Sequence, residues 1–352
     1  MITVQFKIIP TAEQEKLLRQ TVSEYISSAN DLLDYCGAQV GMPKLSSSSF
    51  IAPLPSAVKN EVVNAVKSIM RKHERGTCKT LPVLRNPVST WNNQNYKLTG
   101  DNIEFPVWSD GRSKRIQVKA VIHNYQRDRL KGKLGSLRIT QRNGKWIAQL
   151  AVNEPIAESA GKSVMGVDLG LKVPAVAVTG SGKEKFFGHG RMNKYIRRKH
   201  SARRKALGKA KKKKAIAKLG NKEQRWMRDQ DHKVSREIVN FAISQDVETI
   251  RLEQLANIRR TARTSRKNEK NLHSWSFYRL SHFIEYKAGM VGIKIEYVDP
   301  AHTSQRCPKC GKINHAKDRR YECPCGYTAH RDIVGAVNIM YAPVVAGNKR
   351  PA

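Results

Sequence analysis

The chain has 352 residues, with 65 Lys and Arg against 29 Asp and Glu, and a formal net charge of +36. A small soluble domain needs a net charge of only about 2–8 to stay in solution, so this excess indicates a polyanionic partner, nucleic acid above all. No apolar run approaches the roughly 20 residues of a membrane span, and residues 1–20 lack the apolar middle of a secretory signal. The sequence therefore predicts a cytoplasmic protein that does not act at a membrane.

The first residues alternate between apolar and polar side chains, which predicts a strand with one buried face over residues 2–8. Thr11 with Gln14 three residues later is a capping-box signature, so a helix is expected to begin there. One apolar stripe follows at helical spacing: Leu18, Val22, Tyr25, Ala29, Leu32 and Cys36. A serine run at residues 46–49 marks a loop. A second predicted helix then has Val58, Val62 and Val66 on one side, and Asn60, Asn64 and Lys67 largely on the other.

From about residue 77 to residue 155 the pattern changes to short strands. The clearest pair, Leu137–Gln141 and Trp146–Val152, is joined through Asn143-Gly144, the strongest short-range hairpin signal. We expect a compact β-barrel or sandwich here, which the first strand of the chain completes.

From residue 164 onward the pattern is α/β. Residues 164–169, 173–179 and 185–188 predict three consecutive strands, residues 247–253 and 294–299 two more, and residues 333–341 a closing helix. Between the third and fourth strands two helices are expected. The second of these has its predicted apolar stripe at Val234, Ile238, Ala242 and Ile243.

The first of these helices is unusually basic, because residues 191–214 contain thirteen Lys and Arg and no acidic residue. A solvated helix face is the ordinary explanation of a charge run, but uncompensated cations repel one another along a helix. Phosphates would relieve that repulsion, so the sequence favours nucleic-acid contact through a set of arginines that includes Arg197, Arg198, Arg203 and Arg204.

Three acidic residues lie where a carboxylate is costly unless it is paired or binds a cation. Asp168 lies inside an apolar strand, Glu253 ends the strand that begins at Val247, and Asp332 begins the last helix. Each alone is more simply a structural residue. Together they indicate hard oxygen ligands for Mg²⁺, with two ions about 3.5–4 Å apart hydrolysing a phosphodiester bond.

Four of the six cysteines are clustered, as Cys307-Pro308-Lys309-Cys310 and Cys323-Pro324-Cys325. The first pair has zinc-knuckle spacing, and the set predicts one structural Zn²⁺. The second pair is one residue shorter than usual, so His315 and His330 remain open as substitutes for Cys325.

These motifs, in this order, resemble TnpB, the OrfB family of insertion sequences that is ancestral to type V CRISPR effectors. The matching segments are Gly166-Val167-Asp168-Leu169-Gly170, Arg251-Leu252-Glu253, residues 298–307, the cysteines, and His330-Arg331-Asp332 with Ala336-Val337-Asn338-Ile339. Val334-Gly335 stands where the family commonly has Asn-Ala, and the second cysteine pair is shortened. Neither change removes a catalytic ligand.

The resemblance implies an α/β and β multidomain fold: an RNase H-like (RuvC) nuclease domain with a zinc-binding insertion, preceded by an N-terminal β-barrel that a helical recognition unit interrupts. The implied domains are residues 1–9 and 77–157 for the barrel, 10–76 for the helical unit, 158–300 for the nuclease domain, 301–329 for the zinc insertion, and 330–352 for the end of the nuclease domain and a C-terminal tail. Asp168, Glu253 and Asp332 are then the catalytic ligands of two Mg²⁺ ions, or of Mn²⁺.

The resemblance also implies the partners: a guide RNA from the transposon end and double-stranded target DNA, cut next to a short flanking motif in a bacterial or archaeal cytoplasm. Base pairing then reads the sequence, and the basic segment holds phosphates. Asn60, Asn64 and Lys67 are better placed to read duplex edges, since Asn pairs with adenine in the major groove.

Three other functions fit parts of the sequence. An RNA-guided repressor without cleavage would be expected to have lost a carboxylate, and all three are present. An integrase-type transposase normally has its acids in the order Asp, Asp, Glu, whereas the order here is Asp168, Glu253, Asp332. A guide-free junction resolvase would not require a separate N-terminal half.

Overall fold

The computed structural model describes residues 2–39, 41–153, 161–255, 272–316 and 318–345. The chain divides into two compact units, Met1–Pro155 and Ile156–Ala352. The predicted domain boundary between residues 157 and 158, and residues 346–352 of the predicted tail, lie outside the described residues. No described helix has both the length and the apolar character needed to span a membrane.

A seven-stranded antiparallel sheet forms the body of the first unit. Its strands are β1 (Ile2–Ile9), β2 (Val88–Trp91), β3 (Lys97–Thr99), β4 (Asn102–Ser109), β5 (Arg112–Val121), β6 (Lys133–Arg142) and β7 (Lys145–Asn153), in the order β2-β6-β7-β1-β5-β4-β3. The first strand is central and buries Val4, Phe6 and Ile8, as its alternation predicts. The β6–β7 hairpin turns at Asn143 and Gly144, whose φ angles of 50° and 72° are the left-handed values that this turn requires.

The sheet curls until strands from its two sides meet. β2 is one edge and β4 lies next to the other edge. Nevertheless, the Trp91 indole N–H donates to the carbonyl oxygen of Pro106 at 2.9 Å, and the Trp91 ring centroid is 4.9 Å from that of Phe105. Both rings are fully buried. The predicted barrel or sandwich is therefore a half-barrel.

Two long helices, α1 (Ala12–Gly37) and α2 (Ser56–Glu74), connect β1 to β2, and a short helix α3 (Asn124–Arg129) follows β5. The predicted capping box is present: the Gln14 backbone N–H donates to Thr11 Oγ1 at 3.3 Å, and the Thr11 N–H donates to Gln14 Oε1 at 3.1 Å. All six residues of the predicted α1 stripe are buried and share one core with α2 and the sheet.

The second unit contains a mixed five-stranded sheet. Its strands are β8 (Ser163–Leu169), β9 (Ala175–Thr179), β10 (Glu184–Phe187), β11 (Val247–Glu253) and β12 (Lys294–Val298), in the order β10-β9-β8-β11-β12. The first three are antiparallel, whereas β11 runs parallel to both β8 and β12. The carboxyl ends of β8 and β11 therefore lie at one edge of the sheet.

Five helices of at least seven residues are described in this unit: α4 (Gly190–Lys209), α5 (Lys213–Leu219), α6 (Lys222–Ser244), α7 (Phe277–Gly289) and α8 (Arg331–Tyr341). A small hairpin of β13 (Arg320–Glu322) and β14 (Thr328–His330) leads directly into α8. The helix α8 packs tightly on β8, because a Cβ at Gly166 would lie 2.0 Å from the carbonyl oxygen of Ala336. Only glycine permits that approach.

Two details of the sequence prediction are wrong. The basic segment is two helices rather than one, since α4 ends at Lys209 and Lys211 adopts a φ of 52°; repulsion among the four consecutive lysines 211–214 favours a break there. Ile243 is 48% exposed while Val239 is buried. At about 100° per residue, Ile243 lies outside the arc centred on Val234 and Ile238.

Candidate metal centres

The predicted carboxylates come from three elements and meet at one edge of the sheet. Asp168 is the penultimate residue of β8, Glu253 is the last residue of β11, and Asp332 is in the first turn of α8. A carboxylate in the first turn of a helix is favoured by the helix dipole. The backbone N–H of Asp332 also donates to Nδ1 of His330, which caps the helix, at 3.2 Å.

The three groups interact electrostatically. Burial raises the pKa of Asp168 well above its ordinary value, and the negative charges of Glu253 and Asp332 raise it further. Burial also raises the pKa of Glu253, against a hydrogen bond from Thr303 that lowers it. Like charges held together in a poorly solvated place favour a bound cation or a bound proton.

The existing cations only partly compensate this charge. Arg319 contacts both carboxylate oxygens of Asp332, whereas Asp168 and Glu253 form no ion pair with any described residue. Carboxylate oxygens are the ligands that Mg²⁺ and Mn²⁺ prefer. The donor set therefore fits a divalent cation.

Two contacts of α8 involve this site and the strand β11. A Cβ at Gly335, near the middle of the helix, would lie 2.9 Å from Oδ2 of Asp168, so this position gives the aspartate its room. At the C-terminal end of the helix, Arg251 Nη1 donates to the carbonyl oxygen of Met340 at 2.6 Å, while its Nε donates to Glu296 at 2.8 Å. An arginine at a helix C-terminus satisfies carbonyls that would otherwise have no partner.

Sequence reasoning assigned no role to three residues that touch or support this site: Arg319, Thr303 and Asn338. Thr303 and Asn338 lie inside segments that carry the family resemblance. Arg319 lies among the cysteines, where nothing in its sequence context indicates a contact with Asp332. Asp299 is exposed, and its carboxylate accepts the Ala301 N–H at 2.9 Å, a contact that caps the turn after β12.

The four cysteines form a tighter cluster. Within the described ranges, they are the one group of three or more potential ligands whose ligand atoms all lie within 4.8 Å of one another. The Sγ atoms of Cys307 and Cys325 are 3.6 Å apart, and those of Cys310 and Cys323 are 3.5 Å apart. A tetrahedral Zn–S distance of about 2.3 Å implies S–S separations near 3.8 Å. The Sγ atom of Cys325 therefore completes a set of four sulfurs that fits such a site, while His330 caps α8.

The residues predicted to contact nucleic acid are mostly exposed, but several already have partners. On α4, Arg197 donates to the carbonyl oxygen of Ser274, and Arg204 pairs with Glu223 at 2.7 Å. Arg198 and Arg203 are exposed and form no ion pair with a described residue.

The predicted contacts on α2 are similar. Lys67 Nζ donates to the carbonyl oxygen of Leu45 at 3.0 Å, and Asn64 Nδ2 donates to Glu61 at 3.2 Å. Asn60 is exposed. Asn60 and Asn64 are thus the more accessible members of the α2 set, and their reading of duplex edges stays a prediction.

Two family models match the chain. The model described as "Probable transposase" matches residues 148–259, which include Asp168 and Glu253. The model described as "Cas12f1-like, TNB domain" matches residues 277–339, which include the four cysteines and Asp332.

Curated relatives also match the chain. A TnpB-like protein of Methanocaldococcus jannaschii is 35% identical over 127 residues, 35% of this chain and 45% of the relative. The CRISPR-associated endodeoxyribonuclease Cas12f1 of Sulfoacidibacillus thermotolerans is 31% identical over 218 residues, 56% of this chain and 50% of the relative. The Cas12f1 of Syntrophomonas palmitatica is 30% identical over 325 residues, 78% of this chain and 64% of the relative. The chain spans about half to two thirds of the length of these relatives.

A solved structure shares the fold. The cryo-EM structure of a Cas12f1–sgRNA–target DNA complex matches with a TM-score of 0.73 and 17% identity, over 96% of this chain and 84% of that chain.

The raised pKa values predict how stability depends on pH without Mg²⁺. The folded state keeps protons on Asp168 and Glu253 that the unfolded chain releases near pH ~4, so the free energy of unfolding should fall as the pH rises toward the raised pKa values. Asp168→Asn removes one of these charges. The variant should raise the melting temperature of the zinc-loaded protein in Mg²⁺-free buffer by a few degrees at pH ~8. Its stability should also fall less steeply as the pH rises.

The matched control is Asp299→Asn, which changes an exposed carboxylate that is not one of the three acids. Thermal melts between pH ~5 and ~8 should separate the two variants. An Asp168→Asn protein that melts below the wild type at high pH would contradict the electrostatic description.

The sulfur geometry predicts one zinc per chain. Cys325→Ser should lower the zinc content well below one per chain, because it removes one corner of the tetrahedron. His315→Ala and His330→Ala should retain zinc, and Cys78→Ser is the control for loss of a thiol outside the cluster. Elemental analysis of purified protein decides this, and full zinc in Cys325→Ser with loss in a histidine variant would reassign the fourth ligand.

Proposed function

We propose that this chain, which belongs to the TnpB family, is an RNA-guided DNA endonuclease that cuts DNA next to a short flanking motif. The observation that carries the proposal is the convergence of Asp168, Glu253 and Asp332 from three separate elements, with the pKa of Asp168 raised by burial and by the other two charges. Asp168 and Glu253 form no ion pair with a described residue, although Asp332 pairs with Arg319; a site built only for stability would pair all three charges with cations.

In this proposal residues 158–300 and 330–352 form a RuvC-like nuclease domain of RNase H-like fold around a zinc-binding insertion. The mixed sheet supports it, because β8 and β11 are neighbouring parallel strands whose carboxyl ends carry two of the three acids. The chain order Asp168, Glu253, Asp332 favours this domain over an integrase-type transposase.

The three carboxylates would hold two Mg²⁺ or Mn²⁺ ions, which supply water activation on one side of a phosphodiester and charge neutralisation on the leaving oxygen. The role of the protein is to hold the carboxylate oxygens in position before the ions bind. Thr303 holds one oxygen of Glu253, and the missing side chain at Gly335 of α8 leaves room for the carboxylate of Asp168. Arg319 places a guanidinium beside Asp332, where negative charge would gather during phosphodiester cleavage.

The cysteine cluster would hold one structural Zn²⁺. The insertion buries only Cys307, Tyr321 and Cys323 in a small core that it shares with Val334 of α8, so the metal is expected to provide much of its folding free energy. The insertion carries Arg319 and leads into α8. An ordered insertion therefore also helps to hold the three carboxylates in place.

The proposed partners are a guide RNA and double-stranded target DNA. The net charge of +36 supports a polyanionic partner, and the Cas12f1 that shares this fold was solved with an sgRNA and target DNA. Because sequence reading is delegated to base pairing in such complexes, exposed arginines of α4 would hold the phosphate backbone without selecting bases.

The catalytic assignment predicts that Asp168→Ala abolishes cleavage of guide-matched DNA, while binding to that DNA by the RNA-loaded protein stays within a few-fold of the wild type. Removing a ligand of the proposed ions affects the chemical step, whereas pairing and phosphate contacts hold the substrate. Gel assays of cleavage and binding on the same preparation make the measurement.

Asp299→Ala is the matched control and should cleave normally, since Asp299 caps a turn. Full cleavage by Asp168→Ala would refute the nuclease site. A wild type that binds guide-matched DNA without cutting it would favour the repressor instead.

The phosphate role of α4 predicts that Arg198→Ala with Arg203→Ala weakens binding to all target sequences alike. Each lost duplex-phosphate contact lowers the salt exponent by about 0.9, so the double variant should flatten it by up to about 1.8. Binding titrations across salt concentrations measure this, and a target-library selection should show the same flanking motif as the wild type.

A double variant of Arg127 and Lys131 is the matched control, because these cations already pair with Asp101 and Asp128 in the first unit. If the α4 variant changed the preferred flanking motif instead of the salt exponent, the roles assigned to α4 and α2 would be wrong.

A further inference from the structure

Thr303 lies in the loop that follows β12 and is 7% exposed. Its hydroxyl donates to Oε1 of Glu253, with the carbonyl oxygen of Pro300 within 3.2 Å as a second acceptor. A hydroxyl that donates to one carboxylate oxygen fixes the orientation of the group and leaves the other oxygen to a cation.

Asn338 in turn fixes this loop. Its side-chain amide donates one N–H to the carbonyl oxygen of Thr303 at 2.6 Å and the other to that of Arg306 at 2.7 Å. Both donors of the amide are therefore used on the backbone of the segment that presents the Thr303 hydroxyl. In the described part of the chain, no other side chain donates to either carbonyl.

These contacts make α8 a common support for the three acids. Asp332, Gly335 and Asn338 follow one another at three-residue spacing and so lie along neighbouring positions of one helix face. The first is itself a carboxylate, the second gives room to Asp168, and the third reaches Glu253 through Thr303.

We infer that Thr303 and Asn338 are positioning residues that hold the Glu253 carboxylate ready for a divalent cation. The inference rests on the proposed function, since it assigns Glu253 as a ligand. Neither residue needs to touch the cation or the DNA. Partners of this kind typically change metal affinity or activity 10–100-fold when they are removed.

The test measures metal binding separately from cleavage. Zinc-loaded protein without nucleic acid is titrated with Mn²⁺, and free Mn²⁺ is followed by electron paramagnetic resonance. Thr303→Val keeps the shape of the side chain but removes its hydroxyl, so the apparent Kd for Mn²⁺ should rise by about 10–100-fold. Thr303→Ser keeps the hydroxyl and should bind within about threefold of the wild type, by the same reasoning.

Asn338→Leu is the second variant, which leaves the hydroxyl in place but frees the loop. It should weaken Mn²⁺ binding in the same direction, so the inference stays testable if Thr303→Val does not fold. Thr328→Val, an exposed threonine of β14, is the matched control and should bind as the wild type does. Zinc content and melting temperature confirm that each variant is folded.

The outcomes separate the inference from the function on which it rests. If the wild type binds Mn²⁺ and cuts guide-matched DNA, but Thr303→Val and Asn338→Leu bind Mn²⁺ equally well, the positioning role alone is wrong. If the wild type neither binds Mn²⁺ through Glu253 nor cuts DNA, the proposed function falls, and the inference falls with it.

Discussion

The constraint on which the second unit depends is the cost of holding three carboxylates together away from water. Like charges in a poorly solvated site either take up a proton or require a cation, and the raised pKa values of Asp168 and Glu253 express that cost. The parallel pairing of β8 with β11 and the close packing of α8 at Gly166 both serve to bring these groups to one edge. A fold selected for stability alone would not accumulate this repulsion, so a cation-dependent function explains the arrangement best.

Two candidate metal centres of different chemistry lie close together in the chain. The cysteine sulfurs suit a soft, closed, tetrahedral site, whereas the carboxylates suit hard cations with open positions. The hairpin that the cysteines support carries Arg319 on one side and continues from β14 into α8 on the other. The order of the cysteine cluster is thereby linked to the position of Asp332, because only a few backbone residues separate them.

Local signals predicted much of the fold. The alternation in β1, the Thr11 capping box and the Asn143-Gly144 turn each depend on neighbouring residues, and each is confirmed. Contacts between distant residues were not predictable in the same way. Nothing in the local sequence shows that Arg204 pairs with Glu223, that Arg319 contacts Asp332, or that Asn338 reaches the backbone of Thr303. The family resemblance identified the acids, but their supporting partners appear only when the loop after β12 is placed against α8.

The most direct measurement is anomalous diffraction at the manganese edge from crystals of the zinc-loaded protein soaked in Mn²⁺. Manganese peaks are expected between the carboxylates of Asp168, Glu253 and Asp332, with zinc at the four cysteines. Manganese that binds elsewhere, or that leaves these three carboxylates without a cation at saturating concentration, would contradict the proposed site.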